Sequence, residues 1–345
     1  MEFAASAPCK CILFGEHYVV YGAPALSLAI EPRNKVVFSD GINGEGISMF
    51  SPFGEGKISQ LGKYEGVPEL GIFAEVAKKI ARGKKLPSCS AEFLSAWGVK
   101  GVGTSASLCA SFAAGLCKAM GMRQDSGRLF ESAQAGDLVA HGGRASGIDA
   151  RTVIAGKPLA FRRNFSKGTY EFSPVDFSLP SGCSLMLIDT FAGKKDGTLK
   201  MLGKFARYVG ISVPPQKASR ALRQQTISEY APLWEEIERC LKKPDARELG
   251  RLMDMNHALL SKRKMSSKGM ERAIGLAREA GAYGAKLTGA GGEGGAVIFI
   301  CDSGQKPAIA RKITDAAGFA CHGIEIAKGG VRVEQQAHYS GIRGK

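Results

Sequence analysis

Apolar and polar positions change period several times along the chain, and each change marks an element. Short apolar runs bounded by turn residues predict strands at 10–14, 19–21, 25–30 and 35–38, with Gly22 in a turn. Ile72, Phe73, Val76 and Ile80 recur at helical spacing and predict a helix over 69–81. A strand at 91–97 runs into a glycine loop. A helix rich in small residues follows at 105–120, then another at 129–140. Further strands are expected at 157–161, 185–188, 296–301 and 331–335. Helices are expected at 228–241, 246–260, 270–280 and 308–317. The pattern is α+β, and the C-terminal half reads as helices packed on one antiparallel sheet. Pro180 and Gly182, just ahead of a fresh apolar strand, suggest domains at 1–180 and 181–345. Residues 338–345 read as a loose tail.

Composition bounds the function. The 345 residues are 44% hydrophobic, enough for a sizeable core in one large or two medium domains. No apolar run is long enough to span a bilayer, and no membrane partner is expected. The first six residues carry no basic region ahead of an apolar block, so no secretory signal is expected. Nine scattered cysteines, with no Cys-x-x-Cys pair and no zinc spacing, suit a reducing cytoplasm. Cys9 and Cys11 share a strand face at a separation that disfavours a bridge. The net charge of +15 raises the question of nucleic acid. The basic residues are dispersed, however, and no stripe interleaves them with aromatics. No nucleic-acid partner is expected, and the charge suits anionic small molecules instead.

Three separated segments carry the candidate chemistry. Gly101-Val102-Gly103-Thr104-Ser105-Ala106 lies between a predicted strand and helix. Glycines there let backbone N–H groups approach a phosphate, and a helix N-terminus adds unpaired donors and a favourable dipole. Thr104 and Ser105 supply hydroxyls, and Lys100 a cation. A capped tight turn is the alternative. A Walker loop is excluded because no Gly-x-x-x-x-Gly-Lys-Ser/Thr occurs. The dinucleotide fingerprint fits loosely, but residues 121–124, ahead of the suitably spaced Asp125, form no strand. Lys10 opens the first strand near Pro8, and Glu16-His17 follow in a turn. Such a turn offers donors and an acceptor to a hydroxylated or carboxylated substrate, while a satisfied core histidine is the plainer reading. Asp149 ends the glycine-rich stretch 142–147, which can hold an acid in a pocket as a general base or as a partner for Lys10. An Asx turn or helix cap is the alternative. Asp137 and His141 are four apart on one helical face. Lys286-Leu287-Thr288-Gly289-Ala290-Gly291-Gly292 reads as a second glycine loop, able to press backbone against a ligand.

In this order the segments resemble the GHMP kinase superfamily, named for galactokinase, homoserine kinase, mevalonate kinase and phosphomevalonate kinase. The resemblance covers nearly the whole chain. Lys10, the run from Ile12 to Gly22, and His141-Gly142 with Ser146-Gly147-Ile148-Asp149 look most like the mevalonate kinase branch. The resemblance implies an N-terminal domain like the second domain of the fifth small-subunit ribosomal protein, and a ferredoxin-like C-terminal domain. It implies ATP and Mg²⁺ in a cleft, with Asp149 as the catalytic aspartate and Lys10 as its partner. Lys100 to Ala106 would hold the nucleotide. Ser105 would lie near the metal, and Asp137 falls where the family has a metal-binding glutamate. Glu16 and His17, with Gly289, Ala290 and Gly291, would face the acceptor. The implied reaction is phosphorylation of the primary hydroxyl of mevalonate, a small-molecule substrate, in isoprenoid biosynthesis. Alternatives are a relative acting on another small alcohol and a non-catalytic nucleotide binder. Oligomeric state stays open, a homodimer included. The chain departs from the family pattern at several places: Cys9 stands for a glycine, Trp97-Gly98-Val99 replaces a proline ahead of the loop, and Glu293 interrupts the last glycine run.

Overall fold

The computed structural model describes residues 2–41, 45–99, 101–142, 145–190, 198–208 and 218–334. β1 (Glu2–Phe14) passes through a 3-10 turn at Tyr18–Tyr21, and β2 (Ala25–Asp40) returns antiparallel beside it. β3 (Ile47–Ser51), β4 (Gly54–Ile58) and β5 (Tyr64–Gly66) lead to α1 (Ile72–Ala81) and β6 (Cys89–Leu94). Three helices follow: α2 (Thr104–Ala119), α3 (Ser126–Ala140) and α4 (Ile148–Ala155). The hairpin β7 (Leu159–Asn164) and β8 (Thr169–Pro174) precedes β9 (Cys183–Asp189). Next come α5 (Thr198–Tyr208), α6 (Arg220–Lys242), α7 (Ala246–Lys262) and α8 (Lys268–Glu279). β10 (Gly284–Thr288), β11 (Ala296–Asp302), α9 (Lys306–Ala317), β12 (Ala320–Ile326) and β13 (Arg332–Glu334) complete the described chain.

β2 is the spine, pairing with β1, β6, β7 and β12. β13 pairs antiparallel with β1, and β10, β11, β9 and β12 form the antiparallel C-terminal part of the sheet. α2 lies against β1 and β2 because its side chains are small. A Cβ on Gly115 would fall 2.0 Å from the Phe38 ring, so only glycine lets helix and strand meet there. The Ser107 hydroxyl donates to the Ala7 carbonyl at 2.8 Å, fastening the helix to β1. This contact aims the start of α2 at the middle of β1.

Four expectations change. Residues 19–21 are a 3-10 turn, not a strand. His17 and Gly22 have φ of 59° and 103°, and these left-handed residues coil the chain tightly. The rings of Tyr18 and Tyr21 are then buried against Phe205. The two strands expected at 25–30 and 35–38 are one. The β1 ladder jumps from Cys9–Ile30 to Pro8–Arg33, leaving Glu31 and Pro32 as a bulge, where a proline's missing N–H costs no ladder bond. Residues 148–155 form a helix that the sequence does not announce. Residues 286–288 are strand, not loop: all of β10 is buried and pairs with β11. The expected tail at 338–345 and Lys100 lie outside the described residues.

Candidate active site

β1 delivers Lys10 into a cavity of about 1660 Å³. Its side chain is 5% exposed, and Nζ lies 3.1 Å from Oδ1 of Asp149. Asp149 sits in the first turn of α4, after Gly147 at φ 85°, where the helix dipole favours a carboxylate. The backbone N–H of Lys10 donates to the Val102 carbonyl at 2.8 Å, tying the strand to the first glycine loop. The lysine stem then crosses Gly103, where a Cβ would lie 2.8 Å from Lys10 Cγ.

Gly101, Gly103, Thr104 and Ser105 line the cavity, whereas the side chains of Val102 and Ala106 are buried in the core. α2 has no side-chain cap, so the first-turn N–H groups lack the partner that a capping side chain supplies. The Ser105 hydroxyl donates to Asp137 Oδ1 at 2.9 Å, and His141 Nδ1 lies 3.2 Å from the same oxygen. The hydrogen bond to Asp137 outweighs burial and raises the His141 pKa to about 9, so the ring is cationic at neutral pH.

The second glycine segment closes on the first. A Cβ on Gly289 would sit 3.4 Å from the Gly101 carbonyl oxygen, and Gly289 and Ala290 line the cavity. Gly291 does not. A Cβ there would run into the Met265 carbonyl at 2.3 Å, so this glycine serves packing beneath the loop. Thr288 Oγ1 accepts from the Ile12 N–H and donates to the Ile12 carbonyl, lacing β10 to β1.

Glu16 and His17 are both buried at the cavity wall. The Glu16 carboxylate is held by Lys286 Nζ, and burial pushes its pKa up and that of Lys286 down. His17 Nε2–H donates to the Ala290 carbonyl at 2.9 Å. Its ring stacks on Phe205 of α5, and burial lowers its pKa to about 4, leaving it neutral.

Sequence reasoning missed the Lys286–Glu16 pair and the apolar wall of Leu70, Phe73, Phe93 and Trp97. It also missed the cations Arg151, Arg163 and Arg207, which face the same cavity. Arg151 had one signal, its place two residues beyond Asp149.

Comparison with known proteins fits this geometry. The family model described as GHMP kinases C terminal matches residues 237–318. The chain is 29% identical to the mevalonate kinase of Thermococcus gammatolerans, over 97% of this chain and 99% of that one. The chain is an ATP-dependent kinase whose residues 237–318 match the GHMP C-terminal model. This kinase superimposes on the crystal structure of the Methanococcus jannaschii mevalonate kinase with a TM-score of 0.75 at 19% identity, covering 95% of this chain and 99% of that one. The Lactococcus lactis galactokinase complexed with galactose gives a TM-score of 0.73 at 14% identity, covering 96% and 95%. The shared fold therefore does not select the acceptor.

The close pass of Lys10 over Gly103 makes a prediction. In Gly103→Ala, a methyl group on a backbone at φ 72° displaces the lysine stem. Turnover is expected to fall about 10²-fold, since a shift of roughly 1 Å in a reacting group has that effect. Steady-state kinetics check this, and unchanged turnover would show that the stem is free to move aside.

Proposed function

We propose that this kinase transfers the terminal phosphoryl group of ATP to the primary hydroxyl of mevalonate, giving 5-phosphomevalonate. The observation that carries the reading is the Lys10–Asp149 pair, set on the wall of one cavity beside the uncapped start of α2. The near full-length similarity to a protein named mevalonate kinase supports mevalonate as the acceptor.

In this reading the triphosphate lies against the N–H groups of the 101–105 turn, and the base against Phe93 and Trp97. Asp149 orients the acceptor hydroxyl and takes its proton as the oxygen attacks the γ-phosphorus. The bond to the bridging oxygen breaks, and ADP leaves with the electron pair. Lys10 steadies the charge on the transferring group. Ser105 and Asp137 offer adjacent oxygen donors, which is the donor chemistry Mg²⁺ prefers. Among the described residues no group of three or more His, Cys, Asp or Glu side chains gathers, so the phosphates would complete the shell. When bound, Mg²⁺ would neutralise triphosphate charge.

Every residue given a role in this scheme lies ahead of residue 180, where we divide the chain, before β9. All nine cysteines are free, in keeping with a reducing cytoplasm. Among the described residues no helix is long and apolar enough to cross a membrane.

The test is an ADP-release panel with mevalonate, phosphomevalonate, galactose and homoserine. Mevalonate is expected to give the highest kcat/KM. A higher value for any of the other three moves the assignment to that acceptor, and no ADP release with any of them ends it.

A further inference from the structure

Two residues beyond Asp149, α4 places a second group on the cavity wall. The guanidinium of Arg151 lies 3.7 Å from the ring centre of Phe130 and 5.5 Å from that of Phe172. Phe130 comes from α3 and Phe172 from β8, so three elements fix one cation. Gly147 is part of the same fit, since a Cβ there would lie 3.1 Å from the tip of the Phe130 ring. A guanidinium placed over an aromatic face can keep an N–H edge free for in-plane donation, the geometry that a carboxylate matches.

Among the described residues, no side chain answers that charge. Among the described residues no carboxylate forms an ion pair with Arg151, and its Nε is buried without a hydrogen-bond partner. Burial lowers the guanidinium pKa, so the site holds a cation at a cost that an arriving anion would offset. The surroundings are apolar: Ile148, Phe130 and Phe172 line the same stretch of wall. Asp149 and Arg151 line the same cavity, so an acceptor with a hydroxyl at one end, an apolar middle and an acid group at the other has a partner there for each end.

We propose that Arg151 binds the carboxylate of the acceptor and thereby selects a hydroxy acid over a neutral alcohol. The proposal rests on the reading above, in which Asp149 orients the acceptor hydroxyl. Arg151 makes no contact with the transferring group in this scheme, and its effect belongs in acceptor binding.

The experiment compares wild type, Arg151→Met and Arg151→Lys. The two acceptors are mevalonate and 3-methylpentane-1,3-diol, its counterpart with a methyl group in place of the carboxylate. Each is followed by ADP release, and the diol is also tested as a competitive inhibitor, so its affinity is read even without turnover. Arg151→Met, which keeps the stem packing, is expected to raise KM for mevalonate about 10²-fold, the size of one charge-assisted bidentate contact. KM for ATP and the affinity for the diol should stay as in wild type. Arg151→Lys keeps the charge without the flat fork and should fall between. Should Arg151→Met fail to fold in a thermal melt, Arg151→Lys alone carries the comparison. If wild type does not phosphorylate mevalonate, the reading of the reaction fails. If wild type does so and the variants keep its preference for the acid, or lose both compounds equally, Arg151 is not the carboxylate site and the reading of the reaction stands.

Discussion

Asp149→Asn is expected to lower kcat by about 10³-fold, within the range that a positioned proton acceptor contributes. The asparagine keeps the shape and can still meet Lys10, but it neither carries the charge nor accepts the hydroxyl proton. About 4 kcal/mol of barrier is at stake, by the usual tenfold per 1.36 kcal/mol. Nucleotide affinity, measured by calorimetry with a non-hydrolysable ATP analogue, should stay within a few-fold, because the 101–105 turn and α2 are untouched. A second effect follows from burial. Lys10 is 5% exposed, and without its carboxylate partner the ammonium is left in a poorly solvated place. The variant should therefore also melt at a lower temperature than wild type. Near-normal turnover in Asp149→Asn would remove the aspartate from the reaction and with it the mechanism argued above.

The convergence of Lys10 and Asp149 illustrates what a sequence can and cannot convey. Local period marks β1 and α2, because each buries one face or one stripe, and that requirement is written in neighbouring residues. The helix α4 escaped because Thr152, Val153 and Ile154 are β-branched and poor helix formers. It stands because it packs on α2, α3 and β1, which lies beyond any local window. The turn at 18–21 misled for the same reason. Val19, Val20 and Tyr21 favour strands, but the buried rings of Tyr18 and Tyr21 and the left-handed His17 decide the backbone. In β10 the glycines after Thr288 concealed a strand whose five residues are all buried. The role of Lys286 was hidden with it. Its partner lies 270 residues away, and no spacing rule connects them.

That pair supplies a prediction of comparable size. Lys286 and Glu16 are 0% and 1% exposed, and together they tie the Glu16 turn to β10. Removing one member leaves a buried charge without a partner, which costs about 3–5 kcal/mol, whereas replacing both with neutral groups of similar volume costs far less. Lys286→Met should therefore be strongly destabilised in urea, as should Glu16→Gln, and the double variant should recover most of the loss. The two single variants should differ in their response to pH. In Lys286→Met the remaining carboxylate is buried, and its folded pKa rises above the unfolded value. The folded state then binds the extra proton, so the variant is least handicapped in acid and loses stability as pH rises through that range. In Glu16→Gln the remaining ammonium has a folded pKa below its unfolded value. The deficit is then full below that lowered pKa and shrinks as pH rises through it and the lysine gives up its proton. Opposite slopes, together with recovery in the double variant, identify the pair as one coupled charge unit clamping β10 to the Glu16 turn. Equal slopes, or losses that simply add, would mean that water reaches the site and that each group is solvated on its own.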